Sequence, residues 1–267
     1  MAIFHLEFKN ISRKKGQSIT AAASYRSGSK IYDQKEDTTH NYTRKQDVDH
    51  SEIIMPTNAP EWLNNREKLW NAVDDKQKRK DSKLASEIVV ALPKELSQEE
   101  QIKLTKTFIQ NNITNRGLVA DVAFHDLSKN NPHAHILYAE NKIDENGLGN
   151  KNREIKKKSF VSELRENWEE QTNTALARDG TEERIDRRSL KEKGSNQIPQ
   201  IHLGPHANAM ERKGIKTEKG DKWRKIEKQN LHLSEVKSKA TLEVNKEPTP
   251  DKNINLSEPN KPDNKPD

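Results

Sequence analysis

Apolar and polar positions in the N-terminal part of the chain predict two strands with a helix between them. From Ile3 to Ile11, apolar and polar side chains alternate, which is the period of a half-buried strand. Ser18 can cap a short alanine-rich helix, and Gly28 stands where that helix would end. The nearly continuous apolar run from Ser86 to Leu92 predicts a second strand, which the following proline stops.

Apolar residues at helical spacing recur at three further places. One pattern predicts a helix from about Pro60 onward. Ser97 stands three residues before a glutamate, the spacing of a capping box, and opens a helix toward Asn112. Another helix is predicted over residues 159–177. Residues 30–50, by contrast, are polar and predict irregular structure.

Two short predicted strands flank a loop that is rich in turn-forming residues. The strands run from Leu118 to Phe124 and from His135 to Ala139, and the loop runs from Asp126 to Pro132. This arrangement is typical of a β-hairpin. Because strands and helices are intermixed along the chain, the sequence predicts an α+β fold, with a central antiparallel sheet and flanking helices.

Regular patterns weaken beyond Asp179. A short strand is still favoured over Ile198–Leu203. Residues 216–244 predict a basic, partly helical extension. Residues 245–267 consist largely of Pro, Lys, Asn and Asp, and therefore predict a disordered polar tail.

The composition is polar for a chain of 267 residues. Hydrophobic residues make up 30% and charged residues 34%, and the mean hydropathy is −1.14, so part of the chain should be solvated. No apolar run approaches the roughly 20 residues of a membrane span, and no signal-peptide pattern follows Met1. The absence of cysteine excludes disulfides and thiolate metal sites. We therefore expect a cytoplasmic protein.

The basic excess lies in one segment. Residues 151–230 hold 20 basic and 14 acidic residues, whereas residues 1–150 hold 22 and 21. This distribution suits a surface that binds nucleic-acid phosphates. A solvated, lysine-rich helix face explains it equally well.

Three histidines of the predicted hairpin form a candidate metal site. His133 and His135 project from the same face of one strand, about 6–7 Å apart, and the hairpin returns His125 beside them. Three imidazoles from paired strands form a ligand set that leaves positions open for water or substrate. Imidazole generally favours zinc, nickel or copper over magnesium. The alternative is a surface hairpin with exposed histidines.

Tyr25 lies in the last turn of the first predicted helix. A phenol with a pKa near 10 is a poor nucleophile unless its proton is withdrawn or the phenolate is stabilised. Arg26 or a metal ion could stabilise the phenolate, and Glu87 could accept the proton. From composition alone, a tyrosine in this setting is usually a packing residue.

Together these segments resemble the MobA/MobL family of plasmid mobilisation relaxases, a branch of the HUH endonucleases. The resemblance covers about residues 1–215, which we expect to form one relaxase domain. The segments that carry it are Met1–Leu6, Ile11–Arg13, Gly16, Ala21–Gly28, Asn58–Trp62, Leu69–Trp70, Glu87–Leu96, Asn131–His135, Ile201–Pro205 and Ala209–Arg212.

The resemblance implies a chemistry and a set of roles. Tyr25 would attack the scissile phosphate at an origin of transfer, leaving a 5′-phosphotyrosine and a free 3′-hydroxyl. His125, His133 and His135 would hold Mg²⁺ or Mn²⁺, and Glu87 would have an acid–base or orienting role. The residues expected to contact DNA are Arg13, Lys14, Lys15, Arg26 and Arg212.

The implied partners are single-stranded and duplex plasmid DNA at the origin of transfer, accessory mobilisation proteins and a type IV coupling protein. One alternative is a rolling-circle replication initiator, although such proteins typically place the tyrosine after the histidines. A second alternative is a non-catalytic DNA-binding protein that represses its own promoter. A zinc hydrolase is less favoured, because the sequence lacks a His-Glu-x-x-His motif.

Overall fold

The structure is a computed structural model that describes residues 2–244. The predicted disordered tail, residues 245–267, lies outside the described residues. The chain divides into two compact units, Met1–Arg187 and Arg188–Asp267. The first unit contains the sheet and the four helices described next, and the described part of the second unit contains two further helices.

A five-stranded antiparallel sheet forms the centre of the first unit. Its strands, in spatial order, are β1 (Leu6–Ser12), β5 (Lys83–Ala91), β7 (His133–Ala139), β6 (Ala120–His125) and β4 (Val48–Ile54). Two small hairpins accompany it, β2 (Lys30–Asp33) with β3 (Thr38–Asn41), and β8 (Asn141–Asp144) with β9 (Gly147–Lys151). The predicted α+β fold with a central antiparallel sheet is confirmed.

Four of the described helices lie close to their predicted positions, whereas the helix expected from about Pro60 begins at Arg66 and the helix Gly204–Arg212 was not predicted. Their bounds are α1 Ile19–Ser27, α2 Arg66–Lys76, α3 Gln98–Asn112, α4 Lys158–Arg178, α5 Gly204–Arg212 and α6 Glu218–Val244. The Ser18 hydroxyl accepts a hydrogen bond from the Ala21 N–H and caps α1, and Gly28 ends this helix at φ +62°. No helix within residues 2–244 has the length and apolar character needed to cross a bilayer.

Helices cover both faces of the sheet. Phe108 of α3 and Trp168 of α4 belong to one apolar core, together with Ile88 and Ile136 of the central strands. The second core, on the opposite face, includes Ile19 of α1, Leu69 and Trp70 of α2, and Leu137 of β7. Since Ile136 and Leu137 are consecutive residues, the alternating side chains of β7 contribute to both cores.

The interpretation of residues 30–50 as irregular was wrong, because they contain β2, β3 and the start of β4. The strands β2 and β3 are only four residues long, and β3 is mostly exposed. Such short strands show no apolar alternation that a sequence pattern could register.

The strand predicted over Ile198–Leu203 is also wrong, since these residues have no regular structure. The Asn230 side chain accepts a hydrogen bond from the Ile198 N–H and donates one to its carbonyl, each at 2.8 Å. A side-chain amide thus satisfies the backbone groups that a partner strand would otherwise bind.

Candidate metal centre

The register of β6 and β7 brings the three predicted histidines together. His125 lies directly opposite His133, and Ala123 lies opposite His135. The ring centroids of the three imidazoles are 4.9 to 5.2 Å apart. One ligand nitrogen from each ring lies within 4.8 Å of the other two. Ala134, between the two histidines of β7, is fully buried toward the opposite core, as predicted.

Each imidazole is oriented through one of its two ring nitrogens. The hydrogen bonds join His125 Nε2 to the Arg26 carbonyl at 2.7 Å, His133 Nδ1 to the Asn131 carbonyl at 2.7 Å, and His135 Nδ1 to Glu87 Oε1 at 2.8 Å. An acceptor at one nitrogen fixes the proton there and leaves a lone pair on the other. His125 therefore offers Nδ1 as a ligand, and the other two histidines offer Nε2.

The electrostatics of the site favour neutral imidazoles. Burial lowers the pKa of His125 to about 4, and burial also lowers the pKa of His135. Both rings are therefore uncharged at neutral pH and can donate a lone pair to a cation. Three oriented and converging imidazoles, two of which have a lowered pKa, make a donor set that fits a divalent metal ion.

Glu87 supports this triad from β5. Its side chain is 1% exposed, and both carboxylate oxygens accept hydrogen bonds from the Arg26 guanidinium. Burial opposes ionisation of Glu87, but the hydrogen bonds from Arg26 and His135 outweigh it and hold the pKa at about 2. Because the pKa of Glu87 is far from neutral, its carboxylate suits an orienting role better than an acid–base role.

Tyr25 is on the surface, in the last turn of α1. Its side chain is 51% exposed, so the interpretation of Tyr25 as a core packing residue does not hold. The Tyr42 ring meets the Tyr25 ring edge-on, with centroids 5.2 Å apart. The Lys45 ammonium lies over the Tyr25 ring, 3.9 Å from its centroid.

Arg26, the residue after Tyr25, joins the tyrosine helix to the histidine triad. Its backbone carbonyl binds His125, and its guanidinium binds Glu87, which in turn binds His135. The end of α1 also lies close to β4, since a Cβ at Gly28 would be 3.2 Å from Val48. The last turn of α1 is therefore fixed against three strands of the sheet.

The residues predicted to bind DNA occupy different environments. The Arg13 guanidinium binds the Asp74 carboxylate at 2.7 Å and backbone carbonyls near the end of α2. Lys14 and Lys15, beside it, are exposed. Arg212 is exposed at the end of α5, in the second unit.

Two residues near the site were missed by sequence reasoning. Lys45 donates a hydrogen bond to the Tyr25 carbonyl at 3.0 Å, and Asp47 Oδ2 lies 3.7 Å from His125 Nδ1. Both belong to the segment 42–47 that joins β3 to β4, within the region predicted as irregular. Recognition of β4 as a strand could have located them, because β4 pairs with β6, the strand that carries His125.

Comparison with known proteins identifies the class. The chain is 34% identical over 244 residues to the conjugal transfer protein TraA of Rhizobium radiobacter, covering 80% of this chain and 22% of TraA. It is 36% identical over 247 residues to the mobilization protein MobL of Acidithiobacillus ferridurans, covering 80% of this chain and 65% of MobL. The chain thus spans less than two thirds of either relative.

A solved structure from work on the molecular basis of vancomycin resistance transfer in Staphylococcus aureus matches with a TM-score of 0.67 and 35% identity. The match covers 70% of this chain and 100% of that one. The chain is thus similar in sequence to conjugal transfer and mobilisation proteins, and it shares its fold with this solved structure. Within that class, the sequence profile of the MobA/MobL family matches residues 17–213, and the chain belongs to this family.

Proposed function

We propose that this protein is a relaxase that nicks one strand of plasmid DNA at an origin of transfer, with Tyr25 as the nucleophile. The observation that carries the proposal is the position of Arg26. Arg26 directly follows Tyr25. Its backbone carbonyl contacts His125, and its guanidinium contacts the Glu87 carboxylate that orients His135. The exposed phenol is therefore attached to a turn that is fixed at the candidate metal centre.

The proposed step exchanges one phosphodiester for another. The Tyr25 hydroxyl oxygen attacks the scissile phosphorus, and the bond from phosphorus to the 3′-oxygen breaks. The phenol proton is lost, and the departing 3′-oxygen gains a proton to become a 3′-hydroxyl. Because the DNA 5′-phosphate remains esterified to Tyr25, the reverse reaction can rejoin the strand. Strand transfer requires this reversibility.

His125, His133 and His135 would hold the divalent ion. When bound, such an ion stabilises charge on phosphoryl oxygens. The family resemblance implies Mg²⁺ or Mn²⁺, whereas imidazole ligands alone generally favour zinc, nickel or copper. Glu87 keeps the proton of His135 on Nδ1, so that Nε2 remains available, and Arg26 keeps Glu87 ionised.

DNA binding outside the site would use exposed cations. Lys14 and Lys15 are exposed beside Arg13, and Arg212 is exposed in the second unit, so each can reach a phosphate. The names of the relatives, conjugal transfer and mobilisation proteins, favour a transfer origin over a replication origin. A promoter repressor would not need oriented imidazoles. Accessory mobilisation proteins and a type IV coupling protein are the partners that this role requires, in the cytoplasm.

The test is formation of a covalent adduct. The purified protein is incubated with Mn²⁺ or Mg²⁺ and labelled single-stranded oligonucleotides that tile the DNA flanking its gene. We expect a labelled band that resists denaturant, is lost with chelator and is lost in Tyr25→Phe, while DNA affinity stays nearly unchanged.

Tyr32→Phe is the matched control, because Tyr32 is also an exposed tyrosine, and its hydroxyl binds only Asp37 among the described residues. This variant should form the adduct normally. An adduct that persists in Tyr25→Phe would show that Tyr25 is not the nucleophile.

A further inference from the structure

The segment 42–47 holds the Tyr25 ring from two sides. The Tyr42 ring lies edge-on to it at an interplanar angle of 88°. The Lys45 ammonium lies over its face and also donates a hydrogen bond to the Tyr25 backbone carbonyl at 3.0 Å. One lysine thus contacts both the ring and the main chain of the same tyrosine, a geometry in which cation–π attraction restricts the ring.

The same lysine is connected to the histidine triad. Lys45 Nζ lies 3.4 Å from Asp47 Oδ2, and that oxygen lies 3.7 Å from His125 Nδ1. The Asp47 carbonyl also accepts a hydrogen bond from the Asp126 N–H, directly after β6. A continuous series of contacts therefore runs from Tyr25 through Lys45 and Asp47 to His125.

The environment of Lys45 differs from that of a lysine that binds phosphate from solvent. Its side chain is only 15% exposed, whereas lysine is among the residues most often exposed. Its ammonium is engaged by a backbone carbonyl, a carboxylate and an aromatic face. A lysine that served only to contact DNA would keep its donors directed to solvent.

We propose that Lys45 is a positioning residue for the nucleophile, with Asp47 as its link to the metal centre. The assignment rests on the proposed function. In it, Lys45 restricts the Tyr25 ring to one orientation relative to the imidazoles, so that the phenol meets the scissile phosphate in a reactive geometry. A small displacement of a reacting group can lower a rate about 100-fold.

The test separates rate from affinity in four variants. Lys45→Met removes the charge at similar length, Lys45→Arg retains it, and Asp47→Asn removes the partner of the ion pair. Lys103→Met is the matched control, because Lys103 is exposed on α3 and pairs with Glu100. Single-turnover nicking at saturating oligonucleotide gives the rate constant, and binding in chelator gives the Kd.

We expect Lys45→Met to lower the nicking rate constant about 10- to 100-fold and to change the Kd by less than about 2-fold. Lys45→Arg should recover most of the rate. Asp47→Asn should slow nicking about 3- to 10-fold, and its effect should be less than additive with Lys45→Met. Lys103→Met should match the wild type.

Two results would overturn the assignment. One is a normal rate constant in Lys45→Met at saturating DNA with a weakened Kd, which defines a phosphate contact. The other is a normal rate constant and a normal Kd in Lys45→Met, because the nucleophile then does not depend on Lys45. If the wild type forms no adduct, both the proposed function and the assignment of Lys45 are wrong. If the wild type reacts and Lys45→Met reacts equally well, only the assignment of Lys45 is wrong. A variant that fails to fold is identified by its thermal melt, and Asp47→Asn then decides the question.

Discussion

The two faces of the central sheet carry different kinds of side chain. The face covered by α3 and α4 is apolar, and its core includes the fully buried Trp168 and Phe108. The face beneath α1 and α2 is apolar at one end, around Trp70, and polar at the other, where Glu87 and the histidines lie.

The comparison shows how one face sets the geometry of the other. Ala134 and Ile136 are buried in the α3–α4 core, and strand alternation therefore directs His133 and His135 to the opposite face. A register slip of one residue would move Ala134 and Ile136 to the opposite face and place the histidines in the α3–α4 core. The apolar face thus holds the register, and this register brings the candidate metal ligands together on the opposite face.

The largest expected effect on stability comes from the apolar face. Trp168→Ala removes a fully buried ring that lies edge-on to Phe108 at 5.1 Å, and should lower the free energy of unfolding by roughly 3–5 kcal/mol. Urea denaturation measures the change. Tyr25→Phe, on the other face, should stay within about 0.5 kcal/mol of the wild type. Equal losses in the two variants would contradict the division between the faces.

A smaller effect is expected from the ion pair on the polar face. Arg26→Met leaves the buried Glu87 carboxylate without its cationic partner, with only the hydrogen bond to His135, and should cost roughly 3 kcal/mol. Adding Glu87→Gln should recover most of the loss, because the uncompensated charge is then gone. Arg79→Met, which breaks an exposed pair with Asp81, should leave the free energy of unfolding close to that of the wild type. Strictly additive losses in the double variant would show that the two residues act separately.

The smallest effect is a dependence of stability on pH in the presence of chelator. The ordinary pKa of His125, 6.5, is lowered by burial to about 4 in the folded protein. As the pH falls from 6.5 to 4, the unfolded chain takes up a proton that the folded chain does not, so the free energy of unfolding decreases. The decrease is on the order of 2 kcal/mol.

His125→Gln should flatten the curve of unfolding free energy over that pH range. Below pH 4.5, where Glu87 titrates with a pKa of about 2 in the folded protein, the free energy of unfolding of this variant should still decrease as the pH falls. A wild-type curve that is flat from pH 6.5 to 4 would contradict the buried, neutral state of His125.

Local patterns in the sequence predicted the histidine hairpin and the bounds of α1. Both depend on short-range rules, since strand alternation places His133 and His135 together and a short loop returns His125. The cap at Ser18 and the turn at Gly28 are also local. For such elements, the residues that form the contact are close in sequence, so the pattern contains the information.

The sequence patterns did not predict the contacts between residues that lie far apart in the chain. Arg26 was expected at DNA, but its guanidinium binds Glu87, 61 residues away. Lys45 and Asp47 gained significance only because β4 pairs with β6 and brings their segment beside His125. These contacts depend on the strand order of the sheet, which no local periodicity reveals.

The central claim is that Tyr25 carries the cut DNA strand. The direct measurement is to react the wild-type protein with a labelled origin oligonucleotide, digest the adduct with protease and nuclease, and locate the modified residue by mass spectrometry. The account predicts a phosphonucleotide on Tyr25. A modification at Tyr32, Tyr42 or any other residue would contradict it.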